Sequence, residues 1–162
     1  RLRKEMGMKK SSYHNVHMML GAPGTAKTTV AKLMGKIMEE EKLLPGSQFT
    51  CVNGAELKGM YVGHSAPKTK ALFEENDIIV IDEPTVGVDI GAKEYIHDLI
   101  WNLAKNEQKA VVLISSDMNE VISLSRRMLI FKEKEIVAEL KGEEFFQQPG
   151  EVISAKIGEY FI

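Results

Sequence analysis

Residues 21–28 of this 162-residue chain read Gly-Ala-Pro-Gly-Thr-Ala-Lys-Thr, and residues 78–83 read Ile-Ile-Val-Ile-Asp-Glu. A short loop with two glycines, running into a lysine and a hydroxyl residue, suits a polyphosphate. Its backbone N–H groups turn inward to hold phosphate oxygens, and a helix starting directly after it adds a positive dipole end. Gly21, Ala22, Pro23, Gly24, Thr25, Ala26, Lys27, Thr28 and Thr29 are the expected contact set. Lys27 would reach the β- and γ-phosphates as a point charge. The Thr28 hydroxyl would ligate Mg²⁺. The competing reading, a helix N-cap with a chance lysine, is disfavoured because an apolar strand precedes the loop and an amphipathic helix follows it. The cofactors expected are ATP and Mg²⁺.

Ala26 stands where a glycine commonly precedes the lysine of such a loop. Alanine fits there with negative φ. With positive φ it carries strain on the order of 1 kcal/mol.

Asp82 and Glu83 close an apolar strand. A carboxylate at the carboxyl end of a strand faces the ligand crevice of an open α/β sheet. Asp82 would hold the metal through water, opposite Thr28. Glu83 would polarise the attacking water as general base. The bland alternative is that Asp-Glu-Pro begins a turn. Each half of the pair demands the other, which favours the catalytic reading.

A further apolar run ends at Ser115-Ser116-Asp117. If that strand neighbours the first, Ser116 lies beside the phosphates and would orient water. Capping the next helix is an equally good role for the segment. Arg126 and Arg127 could contact a phosphate in a neighbouring subunit, but a solvated or structural role is favoured, because exposed arginines are common. His14, His17, His64 and His97 have no metal-ligand spacing and read as non-functional. Tyr13 is a candidate face for a purine, or a core residue.

These residues need elements to position them. Strands are expected over 16–20, 48–52, 77–82, 110–114 and 128–131, with a sixth at an edge over 135–140. Helices are expected over 28–41, 66–75, 91–105 and 117–124, with short ones over 143–148 and 151–160. The first helix should bury Val30, Leu33, Met34, Ile37 and Met38, and the helix over 91–105 should bury Tyr95, Ile96, Leu99, Ile100 and Leu103. Strands alternating with helices predict a three-layer α/β/α sandwich on a mainly parallel sheet of about five strands. Residues 1–162 are expected to form one domain.

The formal net charge of −2 argues against a general grip on nucleic acid or anionic lipid. No apolar run approaches the ~20 residues of a membrane span. The single cysteine, Cys51, cannot pair internally and reads as a small buried apolar residue. A cytoplasmic protein is expected, without membrane insertion, with a nucleotide as its partner and self-association as a possibility.

Two resemblances follow. From about residue 15 to 75 the chain resembles P-loop ATPases of the AAA class, in the branch of the red-type Rubisco activase and a sporulation ATPase. The matching runs are 21–31 and Glu56-Leu57-Lys58-Gly59-Met60-Tyr61-Val62-Gly63-His64-Ser65-Ala66-Pro67-Lys68-Thr69. The resemblance implies that Tyr61-Val62-Gly63 is similar to a pore loop gripping a threaded polypeptide, which works only in a ring. From about residue 77 to 142 the chain resembles ABC transporter ATPases, especially sugar-importer subunits. Asp82-Glu83-Pro84-Thr85-Val86-Gly87-Val88-Asp89-Ile90-Gly91-Ala92-Lys93 is similar to their Walker B and D-loop, and 111–117 and 125–130 continue the likeness. The switch histidine of many ABC ATPases is absent near Ser116 and Asp117. Neither pattern is complete: the Leu-Ser-Gly-Gly-Gln signature, a Q-loop and AAA arginine-finger elements are missing. The expectation is therefore a chimera joined between Glu75 and Asp77, with loose packing at the join, that binds ATP and hydrolyses it weakly or not at all. The alternatives are a structural protein without nucleotide activity and a ring-forming remodelling ATPase.

Overall fold

A computed structural model describes residues 16–42, 48–61 and 66–161, with backbone alone at 60, 61, 66–69, 143 and 144. The chain order is β1 (Val16–Gly21), α1 (Lys27–Glu40), β2 (Phe49–Asn53), α2 (Gly54–Tyr61), α3 (Ala66–Glu75), β3 (Ile78–Asp82), α4 (Ile90–Lys105), β4 (Ala110–Ser115), α5 (Met118–Leu124), β5 (Arg127–Lys132), β6 (Glu135–Lys141), α6 (Glu143–Phe146) and α7 (Gly150–Gly158). The six strands form one sheet in the order β2-β3-β4-β1-β5-β6. The first five are parallel, and β6 pairs antiparallel with β5 at the edge. The α/β sandwich is as expected, and the sixth strand lies at the edge where 135–140 was expected to form one.

Continuous apolar strands are what a sheet covered on both faces requires. Ile78, Ile79, Val80 and Ile81 are all fully buried, as are Val111, Val112, Leu113 and Ile114. Successive side chains point to opposite faces. Met18, Leu20, Ile79, Ile81, Val111 and Leu113 meet Ile96, Ile100, Leu103, Val121, Ile153 and Ile157 on one face. Met19, Val80, Val112, Ile114 and Phe131 meet Ala31 on the other.

The first helix departs from its predicted stripe. Its buried residues are Lys27, Ala31 and Gly35, while Leu33 is 57% and Ile37 47% exposed. The cause is steric. The Phe49 ring occupies the space a Cβ on Gly35 would take, 2.1 Å away. The helix therefore lies on the sheet by its small residues, which turns Leu33 and Ile37 outward. Tyr95 is likewise on the rim of α4, 39% exposed, with the smaller Ala92 buried one turn earlier.

Helix α2 was absent from the sequence-based expectation. The backbone N–H of Asn53 donates to Glu56 Oε2 at 2.8 Å, and the N–H of Glu56 donates to Asn53 Oδ1 at 3.1 Å. This reciprocal capping box starts a helix even where periodicity is weak.

The join between the two predicted halves is tightly packed, contrary to the looseness expected there. Strand β2 pairs with β3 from Phe49–Ile78 to Asn53–Asp82 without a shift. Asn76 Nδ2 donates to the Leu72 carbonyl at 2.8 Å, and the buried Lys109 ammonium donates to the Asn76 carbonyl at 2.9 Å.

His17 lies in β1, level with Arg127 of β5, and its Nδ1 is buried without a hydrogen-bond partner. Burial first, and the Arg127 charge second, hold its pKa below the ordinary histidine value. The unfolded chain thus takes up a proton on this histidine at a higher pH than the folded one. Stability is full above the unfolded value of about 6.5 and falls as pH drops below it towards the depressed folded value. Thermal melts are expected to show a lower Tm at pH 5 than at pH 7, with a smaller difference in His17→Leu. An equal difference in both would remove His17 as the cause.

Candidate functional site

Strand β4 lies between β1 and β3, and all three run parallel. Leu20 is level with Ser115, and Ile114 with Asp82. The loop after β1, Ser116 and the Asp82–Glu83 pair therefore emerge side by side from three adjacent carboxyl ends. This is where an open α/β sheet places its ligand.

The loop curls over the start of α1. The Lys27 side chain tucks beneath it, with Nζ donating to the carbonyls of Gly21 at 2.7 Å and Ala22 at 2.9 Å. Thr25 Oγ1 donates to the Ala22 carbonyl at 2.8 Å. Gly24 and Ala26 both take left-handed backbone angles, φ 78° and 67°. The strained alternative foreseen for Ala26 is the one realised. Left-handed alanine costs roughly 1–2 kcal/mol, whereas the extra chain entropy of a glycine costs about 0.5–1 kcal/mol. Ala26→Gly is accordingly expected to stabilise the fold by several tenths to about 1 kcal/mol, read as a higher urea midpoint with an unchanged slope. A lower midpoint would refute the strain.

Thr28 Oγ1 donates to Asp82 Oδ2 at 2.8 Å. Chain positions 54 apart thus form one oxygen pair at the head of the loop. Glu83 holds φ 47°, which swings its carboxylate towards β4. Its Oε2 accepts from the Ser116 backbone N–H at 3.2 Å and from Ser116 Oγ at 3.1 Å. Gly54 packs against this turn, and a Cβ there would lie 2.4 Å from the Glu83 carbonyl oxygen.

The two readings of residues 115–117 are divided between neighbours. Ser116 meets the Glu83 carboxylate, while Asp117 caps α5, accepting from the N–H groups of Asn119 at 2.9 Å and Glu120 at 3.2 Å. Lys93 also donates to Asp117, and this hydrogen bond is the main cause of a lowered Asp117 pKa.

Behind this turn lies a network that the sequence reading missed. Glu120, 1% exposed, accepts from Ser115 Oγ at 2.5 Å and lies 3.1 Å from His97 Nε2. Ser115 Oγ in turn accepts from the Asp117 N–H at 3.0 Å. A buried carboxylate requires such partners. The Asp117-x-x-Glu120 spacing was the available signal, as a capping box, although here Glu120 turns inward instead of back to the cap.

Other expected residues fall elsewhere. Arg127 Nε donates to Glu139 at 2.7 Å, and Arg126 lies over the Trp101 ring at 5.7 Å, so both serve the sheet edge and surface. Cys51 is half-buried in β2, where burial raises its pKa. Tyr13, His14, His64 and the Val62-Gly63 part of the pore-loop segment lie outside the described residues. Among the described residues there is no cluster of three or more His, Cys, Asp or Glu able to cage a metal, and no helix long and apolar enough to cross a membrane.

The chain is similar in sequence and in fold to known proteins. The family described as ATPase family associated with various cellular activities (AAA) matches residues 17–137. A putative ribose/galactose/methyl galactoside import ATP-binding protein of Geobacillus kaustophilus is 44% identical over 77 residues, 48% of this chain and 15% of that protein. The arabinose import ATP-binding protein AraG of Vibrio parahaemolyticus is 42% identical over 77 residues, again 48% of this chain and 15% of the relative. The chain thus spans a small part of these curated relatives. Among solved structures, the dimeric ATP-binding cassette MJ0796 bound to ADP and Pi superposes with a TM-score of 0.60 at 15% identity, over 80% of this chain and 86% of that one. CbiO1 from Clostridium perfringens, part of an ABC transporter complex, gives a TM-score of 0.62 at 14% identity over 90% and 86%. At such identities the likeness is one of fold. The match over residues 17–137 carries the family assignment: the chain belongs to the ATPase family associated with various cellular activities (AAA), as an ATP-binding P-loop domain.

Proposed function

We propose that this chain binds ATP with Mg²⁺ as a single P-loop domain and hydrolyses it slowly or not at all. The observation that carries the reading is the 2.8 Å bond from Thr28 Oγ1 to Asp82 Oδ2, beside the Lys27 ammonium under the loop. Mg²⁺ prefers oxygen donors, and in nucleotide sites it takes one or two from the protein and the rest from phosphates and water. A hydroxyl and a carboxylate at hydrogen-bonding distance fit that demand, and no larger protein cage is needed. Thr28 would bind the ion directly and Asp82 through water. When bound, the ion neutralises charge on the β- and γ-phosphate oxygens.

The chain's own groups then divide the work. Inward N–H groups of the loop and the Lys27 ammonium hold the phosphates. Lys27 has three donors and two engage loop carbonyls, so phosphate oxygens compete with those carbonyls. Glu83, steadied by Ser116, accepts a proton from the attacking water. An arginine finger supplies about 10³–10⁵ in rate where one is used, and neither its AAA elements nor the ABC signature is recognisable in the sequence. Binding with poor turnover follows. Calorimetric titration with ATP and Mg²⁺ tests it: a folded wild type that takes up no ATP would sink the reading.

The finer reading is a chimera, an AAA-like half over 1–75 joined to an ABC-like half over 77–142. Its support is the change of motif style between 56–69 and 82–93, together with curated relatives that are import ATP-binding proteins aligned over only 77 residues; the AAA match over 17–137 runs across the join and does not separate the halves. Full-length members of one family returned by both halves, compared separately, would defeat it.

A further inference from the structure

Glu83 is held by the backbone N–H and the hydroxyl of Ser116. Ser116 itself is exposed, in the turn between β4 and α5. An exposed turn fixes a carboxylate only if the turn is itself fixed, since its backbone freedom must otherwise be lost each time the bond forms. We propose that Ser115 and Glu120, buried behind this turn, are positioning residues for Glu83, acting through Ser116 with α4 as their anchor. The inference rests on the reading of Glu83 as proton acceptor and deepens it.

Both chain neighbours of Ser116 are fastened. Ser115 is fully buried. Its Oγ donates to Glu120 Oε2 at 2.5 Å and accepts from the Asp117 N–H at 3.0 Å, so one hydroxyl closes the turn around Ser116. The second oxygen of Glu120 lies 3.1 Å from His97 Nε2. On the other side, Asp117 accepts from Lys93 Nζ. Lys93 and His97 are four positions apart in α4 and so share one face of it. Ile96 and Ile100 of the same helix are fully buried, so the turn is gripped at two points by an element seated in the core. Capping of α5 accounts for the bonds from Asn119 and Glu120 N–H to Asp117. It does not account for a carboxylate only 1% exposed, because a capping-box glutamate reaches back to the cap N–H. Burying that charge is costly, and what it holds is the residue before Ser116.

NMR of the nucleotide-free protein tests this through the Ser116 amide. The readout is the change in its proton shift when Glu83→Ala removes the acceptor, so direct effects of a neighbouring substitution cancel. Most of that change is expected to vanish in the Ser115→Ala and Glu120→Ala backgrounds. Glu120→Gln, which can still accept from Ser115, should restore it. Should Glu120→Ala fail to fold, Ser115→Ala carries the test. Ser125→Ala removes an equally buried hydroxyl at the far end of α5 and should leave the change intact while also lowering stability. In single-turnover phosphate release, Ser115→Ala should lose about 10- to 100-fold, with ATP affinity kept within a few-fold and no further loss once Glu83→Gln is present. A full-sized change in folded Ser115→Ala, or one that also vanishes in Ser125→Ala, would overturn the proposal. Failure of the ATP reading shows differently, as no uptake of ATP by wild type, and leaves the amide comparison to decide.

Discussion

Lys27→Ala is expected to weaken MgATP binding by about 10- to 100-fold. Two of the three Lys27 donors hold the Gly21 and Ala22 carbonyls, which leaves one for a phosphate oxygen, and a hydrogen bond to a charged group contributes about 1.5–3 kcal/mol. The side chain is 6% exposed and already aligned beneath the loop, so little ordering is lost on binding. Calorimetry on wild type and variant checks it, with circular dichroism melts confirming that the variant folds. Retained affinity in a folded Lys27→Ala would mean that the loop does not hold the phosphates.

Glu83→Gln should behave in the opposite way, keeping ATP affinity within a few-fold and losing about 10²–10⁴ of the hydrolysis rate, the usual contribution of a positioned general base. Glutamine keeps the shape and can still accept from Ser116, so only proton acceptance is removed. Single-turnover phosphate release measures this even if wild type is slow. An unchanged rate would return Asp-Glu-Pro to the role of a turn. The two substitutions separate binding from chemistry, since Lys27 lies under the loop and the Glu83 carboxylate is held at Ser116.

The same division shows in what the amino-acid order revealed. Local signals sufficed for the strands: runs such as Ile78–Ile81 and Val111–Ile114 have few alternatives to a doubly covered sheet. The loop and the Asp82–Glu83 pair were legible because the motif requires fixed spacings along a short stretch of chain. Helix α2 escaped notice although Asn53 and Glu56 form a capping box, because its hydrophobic period is weak.

Other facts depend on contacts between distant segments. Periodicity placed Leu33 and Ile37 inside, yet the Phe49 ring decides how α1 sits, and no pattern within 28–41 records that ring. His97 looked inert because its partner Glu120 lies 23 positions away. Whether Ser116 or Asp117 would cap α5 was open in the sequence, and the position of β4 between β1 and β3 resolved it by bringing Glu83 to Ser116. The strands, the phosphate loop and the acidic pair are each written within a few consecutive residues, so they could be read directly. Which helix faces are buried and how Glu83 is aimed depend on strand order and on side chains meeting across the sheet, and so emerge from the folded chain alone.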